Sequence, residues 1–218
     1  MSKEEASGVT SDGPGAIGVV LIAASAGGIE ATQEVLRGLP RGLGAAVVVV
    51  QHRTPRLPSM LPSILARSTA LRTKPAEEGE RLHAGVLYVA PADRHLEITA
   101  SHTLHLANGP RIRHVLSSAN PLFESAAVAY GPNVLAMVLT GADSDGTDGV
   151  QTVAAHGGTV LAQDPSRARF PSMPRAAIRS GAVRRVLGLE EMPSVIVETV
   201  RRWQDEAREA PGAQAGVQ

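Results

Sequence analysis

The chain has 218 residues, enough for one sizeable α/β domain and too few for two. Its 21 basic and 21 acidic side chains cancel, which removes the case for a polyanion partner, and 2% aromatic residues leave little on which nucleic-acid bases could stack. With no cysteine, there is no disulfide framework, thiol nucleophile or thiolate metal site.

Residues 1–14 carry no periodic apolar face and read as a disordered leader, whose two Glu are unlike a secretory signal. The run 16–24 (AIGVVLIAA) is continuously apolar, as expected of a strand covered on both faces of a parallel sheet. Ile29, Leu36 and Leu39 then share one side of a helix that Gly38 and Pro40 bring to a stop. A second buried strand is expected at 45–50 and a short helix at 59–67. Residues 86–90, 95–99 and 103–106 suggest a local meander, the last two alternating so that one face is solvated. His95 and His105 would then face solvent or each other. Asn120-Pro121 reads as a helix cap and first turn, and 134–139 (VLAMVL) as a third buried strand. A helix after Gly146 ends at Gly157-Gly158, residues 159–162 return to the sheet, and Met192-Pro193 opens a last helix. The apolar runs are too short to span a bilayer, so a cytoplasmic protein without membrane insertion is expected. The alternation predicts a doubly wound α/β fold with a mostly parallel sheet and a small antiparallel excursion. One domain is placed at 15–204, with a flexible tail over 205–218.

Ligands of open α/β sheets bind outside the carboxyl ends of the strands. The first buried strand runs into Ser25-Ala26-Gly27-Gly28, the second into Gln51-His52, and the third into Gly141-Ala142-Asp143-Ser144-Asp145-Gly146. Ser, His and Asp therefore reach one sheet edge from three segments. A serine hydroxyl needs a base, an imidazole supplies one near neutral pH, and a carboxylate fixes its tautomer. The glycines after Ser25 permit a sharp turn whose N–H groups, at a helix start, could stabilise an oxyanion. Each residue also has a plainer reading. Ser25 before Gly-Gly suits a turn, an N-cap or a phosphate cradle, His52 a loop position, and Asp145 a turn or cation site. The acidic loop fails the spacing of a calcium-binding loop, and neither a metal nor a cofactor is expected. His83, His102, His114 and His156 fall in loops or near helix ends. His52 must be neutral to take a proton, so activity should rise through an apparent pKa of about 6–7.5.

The stretches IAASAGGIEA, VVVVQH, EEGERLHAGVLYVAPADRHLEI, VLTGADSDGTDGV, GGTVLAQD and SMPRAAI occur in this order over residues 16–190. In this the chain resembles the catalytic domain of bacterial chemotaxis protein-glutamate methylesterases. The resemblance implies a three-layer α/β/α sandwich with Ser25 as nucleophile, His52 as base and Asp145 as carboxylate. It also implies cofactor-free hydrolysis of γ-glutamyl methyl esters on a methylated chemoreceptor-like signalling protein, with deamidation of glutamine a second activity. An esterase of another acyl substrate and a non-enzymatic nucleotide- or phosphate-binding domain are the alternatives. Several positions depart from the family pattern. Ala26 stands where Thr is usual, Ala142 where Met is, Asp143 where Gly is, Arg53-Thr54 where Met-Pro is, and Asn120 where Asp is. Arg53 beside His52 would offer a cation to an acidic substrate. The first strand begins near residue 16, so the receiver domain of typical relatives is expected to be missing, with a separate response regulator as a second candidate partner.

Overall fold

The sheet grows in both directions from its central strand, β1 (Val19–Ala24). The computed structural model of the chain describes residues 15–53, 59–110 and 117–209. The leader expected at 1–14, Thr54, His114 and residues 210–218 lie outside these. β1 is apolar throughout and fully buried, which only a strand covered on both faces sustains. Its side chains alternate between two cores: Val19, Leu21 and Ala23 face one, Val20, Ile22 and Ala24 the other.

After β1 come α1 (Gly28–Arg37), β2 (Ala46–Gln51), α2 (Leu61–Ala66), β3 (Arg72–Pro75) and β4 (Val86–Val89). The hairpin strands β5 (His95–Ile98) and β6 (Leu104–Ala107) follow, then α3 (Ala119–Tyr130), a 3₁₀ turn at Gly131–Asn133 and β7 (Val134–Val138). The chain continues through α4 (Thr147–Ala155), β8 (Thr159–Gln163), α5 (Ser172–Arg179), β9 (Arg185–Leu187) and α6 (Met192–Glu209). Seven strands form one sheet in the order β3-β4-β2-β1-β7-β8-β9, every pairing parallel. Leu122, Phe123, Val150 and Met173 from α3, α4 and α5 cover one face. Val35, Leu36, Leu65, Ile196 and Trp203 from α1, α2 and α6 cover the other. This is the doubly wound architecture that the alternation predicts, in the three layers that the resemblance implies.

The chain runs outward from β1 to β2 and beyond, then crosses back to place β7 on the other side of β1. The switch point of the sheet therefore lies at the carboxyl ends of β1 and β7, where such sheets open a crevice.

Three expectations are corrected here, and one strand was not anticipated. Residues 86–89 belong to the main sheet as β4, paired with β2, and only β5 and β6 form the antiparallel excursion. The polar edge strand β3 gave no apolar signal because its residues are exposed or half-buried. His95 neither faces solvent nor meets His105: it is 4% exposed and pairs with Ala107, while His105 pairs with Glu97. The last helix continues to Glu209, past the boundary set at 205, because Trp203 anchors it against the core while its outer face stays polar.

The cap of α3 is Ser118 rather than Asn120. Ser118 has extended backbone angles, and its hydroxyl accepts the Asn120 N–H at 3.2 Å. Asn120 is buried and ties two helices together, its Oδ1 accepting the Gly149 N–H of α4 at 2.9 Å. Asn120→Ala should leave that buried N–H unpaired and cost about 1–3 kcal/mol in urea unfolding, whereas Asn120→Asp should recover most of the loss. Equal stability of the Ala variant and the parent would show that the link between the helices contributes nothing.

Candidate active site

Strand register brings Ser25 and His52 together. Ala24 pairs with Gln51, and the His52 N–H then donates to the Ala24 carbonyl at 2.9 Å, so both residues leave the sheet side by side. From the opposite flank the Ser25 N–H donates to the Thr140 carbonyl at 3.0 Å, which fixes the end of β1 against the end of β7. Three neighbouring strands thus deliver Ser25, His52 and the 141–146 loop to one edge.

Asp145 is the anchor of this edge. It is 1% exposed, and three donors converge on its carboxylate. His52 Nε2 lies 2.8 Å from Oδ2, the Ala119 N–H donates to the same oxygen at 2.6 Å, and the Ser118 hydroxyl donates to Oδ1 at 2.5 Å. A buried carboxylate without such partners would be costly. The start of α3 supplies two of the three donors, and its dipole places positive potential at that end. Behind it, His95 Nδ1 accepts the Ser118 N–H at 3.3 Å while its Nε2 donates to the Pro110 carbonyl at 3.0 Å. The burial of His95 therefore serves the site indirectly.

His52 lies between two carboxylates. Its Nδ1 is 3.1 Å from Asp143 Oδ2, and Asp143 Oδ1 accepts the Asp145 N–H at 2.9 Å. Burial disfavours the charged ring, but its hydrogen bonds to Asp143 and Asp145, with their negative charges, outweigh it and raise the pKa to about 9. In this arrangement the ring thus titrates above the range of about 6–7.5 through which activity was expected to rise. Among the described residues the Ser25 hydroxyl has no hydrogen-bond partner, and in this arrangement it does not engage His52.

The turn after Ser25 divides its N–H groups. Gly27 caps α1 at φ 70°, in the left-handed region that a side chain would strain. The Gly28 N–H turns inward to the Ser25 carbonyl at 2.9 Å, and so drops out of the donors expected at an oxyanion site or phosphate cradle. The Ala26 and Gly27 N–H groups donate to no described residue. Ala142 is exposed on the loop across from them.

Much of the support was not singled out in the sequence. Gln51 Nε2 donates to the Ser25 carbonyl at 2.6 Å. The Thr140 hydroxyl donates to the Ala26 carbonyl at 3.0 Å and accepts the Phe170 N–H at 2.8 Å. Gly141 exchanges backbone bonds with the 170–173 segment, its N–H donating to Phe170 and its carbonyl accepting from Met173. A Cβ on Gly141 would lie 2.9 Å from the Ser25 Cβ, so glycine permits this close approach. The only signal for these positions was their place at strand ends or, for Ser118, a Ser two residues before Asn120 in a capping context.

Arg53 is half-buried at the other side of His52. Its Nη2 reaches the Ala90 carbonyl at 3.5 Å, and burial lowers its pKa against the opposing influence of Asp93. The guanidinium is thus turned toward the end of β4. Among the described residues no group of three or more His, Asp or Glu is arranged to hold a metal ion. Among the same residues no helix is long and apolar enough to cross a membrane.

Comparison with known proteins agrees with this architecture. The family model described as CheB methylesterase matches residues 20–196. A protein from Methanosarcina mazei named protein-glutamate methylesterase/protein-glutamine glutaminase 2 is 37% identical over 190 residues, covering 84% of this chain and 52% of that one. A Caulobacter vibrioides protein of the same name is 35% identical, with 88% and 56% covered. The chain thus spans about half the length of these two relatives, but it covers 92% of a Leptospira interrogans protein to which it is 36% identical. Among solved structures, the Thermotoga maritima CheB methylesterase catalytic domain superimposes with a TM-score of 0.80 at 32% identity, covering 83% of this chain and 97% of that one. The matched region contains Ser25, His52 and Asp145, and the chain belongs to the CheB methylesterase family.

Proposed function

We propose that this chain is a serine-dependent protein-glutamate methylesterase that hydrolyses γ-glutamyl methyl esters of a chemoreceptor-like signalling protein and releases methanol. The observation that carries the reading is the buried Asp145 carboxylate holding His52 Nε2 beside the strand end that presents Ser25. Family membership supplies the substrate class, and the names of the Methanosarcina and Caulobacter relatives state the same activity.

In this mechanism the Ser25 oxygen attacks the ester carbonyl carbon while its proton passes to neutral His52. With Nε2 held by Asp145, the receiving nitrogen is Nδ1. The Ala26 and Gly27 N–H groups face the oxyanion of the tetrahedral intermediate. Collapse breaks the ester C–O bond, the leaving oxygen takes the proton from His52, and methanol departs. Water then attacks the acyl-enzyme with His52 as base, the proton returns to Ser25, and the glutamate carboxylate is released. The same steps on a glutamine side-chain amide would release ammonia, and the glutaminase activity in the relatives' names favours keeping deamidation as a second reading. Arg53, next to His52 in the chain, would offer a cation to an acidic substrate helix by leaving the Ala90 carbonyl it now faces.

Radiolabelled methylated receptor membranes incubated with the purified chain should release volatile methanol, and none should appear with Ser25→Ala, whose turnover should fall by about 10³ or more. Normal turnover by a folded Ser25→Ala protein would falsify the nucleophile assignment. Asp145→Asn removes the charge that steadies the imidazolium and should cost about 10⁴-fold in kcat, read in the same assay. If that substitution proves mild, Asp145 is a structural group and the base is oriented by something else.

The raised pKa of His52 also has a thermodynamic sign. Because the folded state binds the proton more tightly than the unfolded chain, the contribution is complete below about 6.5 and is lost as pH rises through about 9. Urea-derived stability should therefore decline across that window, and a curve that rises there would contradict the pairing of His52 with its carboxylates.

A further inference from the structure

We propose that Asp143 is a positioning residue acting through His52: its carboxylate occupies the ring nitrogen that Ser25 needs and keeps the base protonated until it is drawn away. The inference deepens the esterase reading above, on which it rests, by adding a restraint on the base built into the loop itself.

The geometry is specific. Asp145 Oδ2 stands 2.8 Å from Nε2 of His52, and Asp143 Oδ2 stands 3.1 Å from Nδ1. An ionised carboxylate only accepts hydrogen bonds, so both ring nitrogens carry a proton in this arrangement. A doubly protonated imidazole has no lone pair in the ring plane with which to accept the Ser25 proton. One of the two carboxylates must therefore withdraw before chemistry begins.

The two are not equivalent. The Asp145 side chain is fully buried and committed to the Ser118 hydroxyl and the Ala119 N–H, so moving it would strand both donors at the start of α3. The Asp143 side chain is 31% exposed, beside exposed Ala142 on the loop that follows β7. Drawing it off Nδ1 takes it toward solvent and gives up the bond its Oδ1 accepts from the Asp145 N–H, while the Asp145 carboxylate keeps Ser118 and Ala119. Asp143 is thus the movable member of the pair.

Among the described residues the charges that act on the ring are those two carboxylates. Arg53, next in the chain, directs its guanidinium toward the Ala90 carbonyl and Asp93, and the neighbouring groups from β1 and α3, Ser25 and Ser118, are neutral hydroxyls. Burial pulls the ring toward the neutral form, and the Asp143 and Asp145 bonds overcome it, which is why the ring is held up to about 9. Releasing Asp143 removes one of the two attractions and leaves burial and Asp145 to set the balance.

Two substitutions separate the clamp from a structural role. Asp143→Asn keeps the size and an oxygen for the Asp145 N–H but removes the charge, and Asp143→Gly removes the side chain. The His52 ring is followed by NMR titration in the parent and both variants, with urea unfolding to confirm folding. In parallel, the rate at which Ser25 is labelled by a fluorophosphonate probe is measured from about pH 6 to 10. The midpoint should fall from about 9 toward the ordinary imidazole value of 6.5 in both variants. Labelling at neutral pH should accelerate about tenfold for each pH unit by which the midpoint falls. An unchanged midpoint in the two folded variants would overturn the proposal, as would labelling that slows at every pH. Neither readout uses a methylated protein. A lowered midpoint with faster labelling but without methanol release would leave the clamp standing and remove the substrate assignment.

Discussion

A single buried carboxylate organises the working edge of this protein. Removing Asp145 from water is tolerable only because a ring nitrogen, a hydroxyl and a backbone N–H meet it there. Those donors come from the end of β2 and the start of α3, which are distant in sequence from the loop that carries Asp145. Satisfying the carboxylate therefore fixes α3 against that loop and sets the ring plane of His52. His95, itself buried, continues this support by accepting the Ser118 N–H.

The sheet makes such convergence possible. Parallel strands all end on the same side, so β2, β1 and β7, adjacent in the order observed, project their following residues to one edge without long loops. The loops are short and are pinned by backbone and amide bonds: Gln51 to Ser25, Thr140 to Ala26 and Phe170, and Gly141 to Phe170 and Met173. In the proposed mechanism, rigid placement of this kind would let a small hydroxyl compete with water for a base, because little reorganisation is left to do at the moment of reaction.

Opposed to that rigidity is the electrostatic setting of His52, the base of the proposed mechanism. A ring flanked by two acceptors is stable as a cation, and a cation is the wrong form for proton abstraction. On the proposed reading, the conflict between a stable site and a reactive one centres on Asp143, at a position where the resemblance leads one to expect glycine. A residue without a side chain leaves that face of the imidazole open, while an aspartate closes it.

The apolar runs at 16–24, 45–50 and 134–139, each bounded by glycine or polar residues, sufficed to place the central strands. Ser25, His52 and Asp145 could then be located just beyond strand ends, because the polar residues that follow a strand covered on both faces lie toward the rim of the sheet. Local pattern also marked the α1 stop at Gly38 and the turn glycines, since these depend on the backbone of a few neighbouring residues. Tertiary structure alone decided the rest. Strand order placed β4 in the main sheet and His95 in the core, and neither is encoded by alternation within four residues. The cap at Ser118, the inward Gly28 N–H and the partner on each nitrogen of His52 depend on contacts between segments as far apart as 93 residues. The charge state of the base belongs to that second group: the sequence supplies the imidazole and both carboxylates, but a pKa is fixed by distance and burial, which only the folded chain defines.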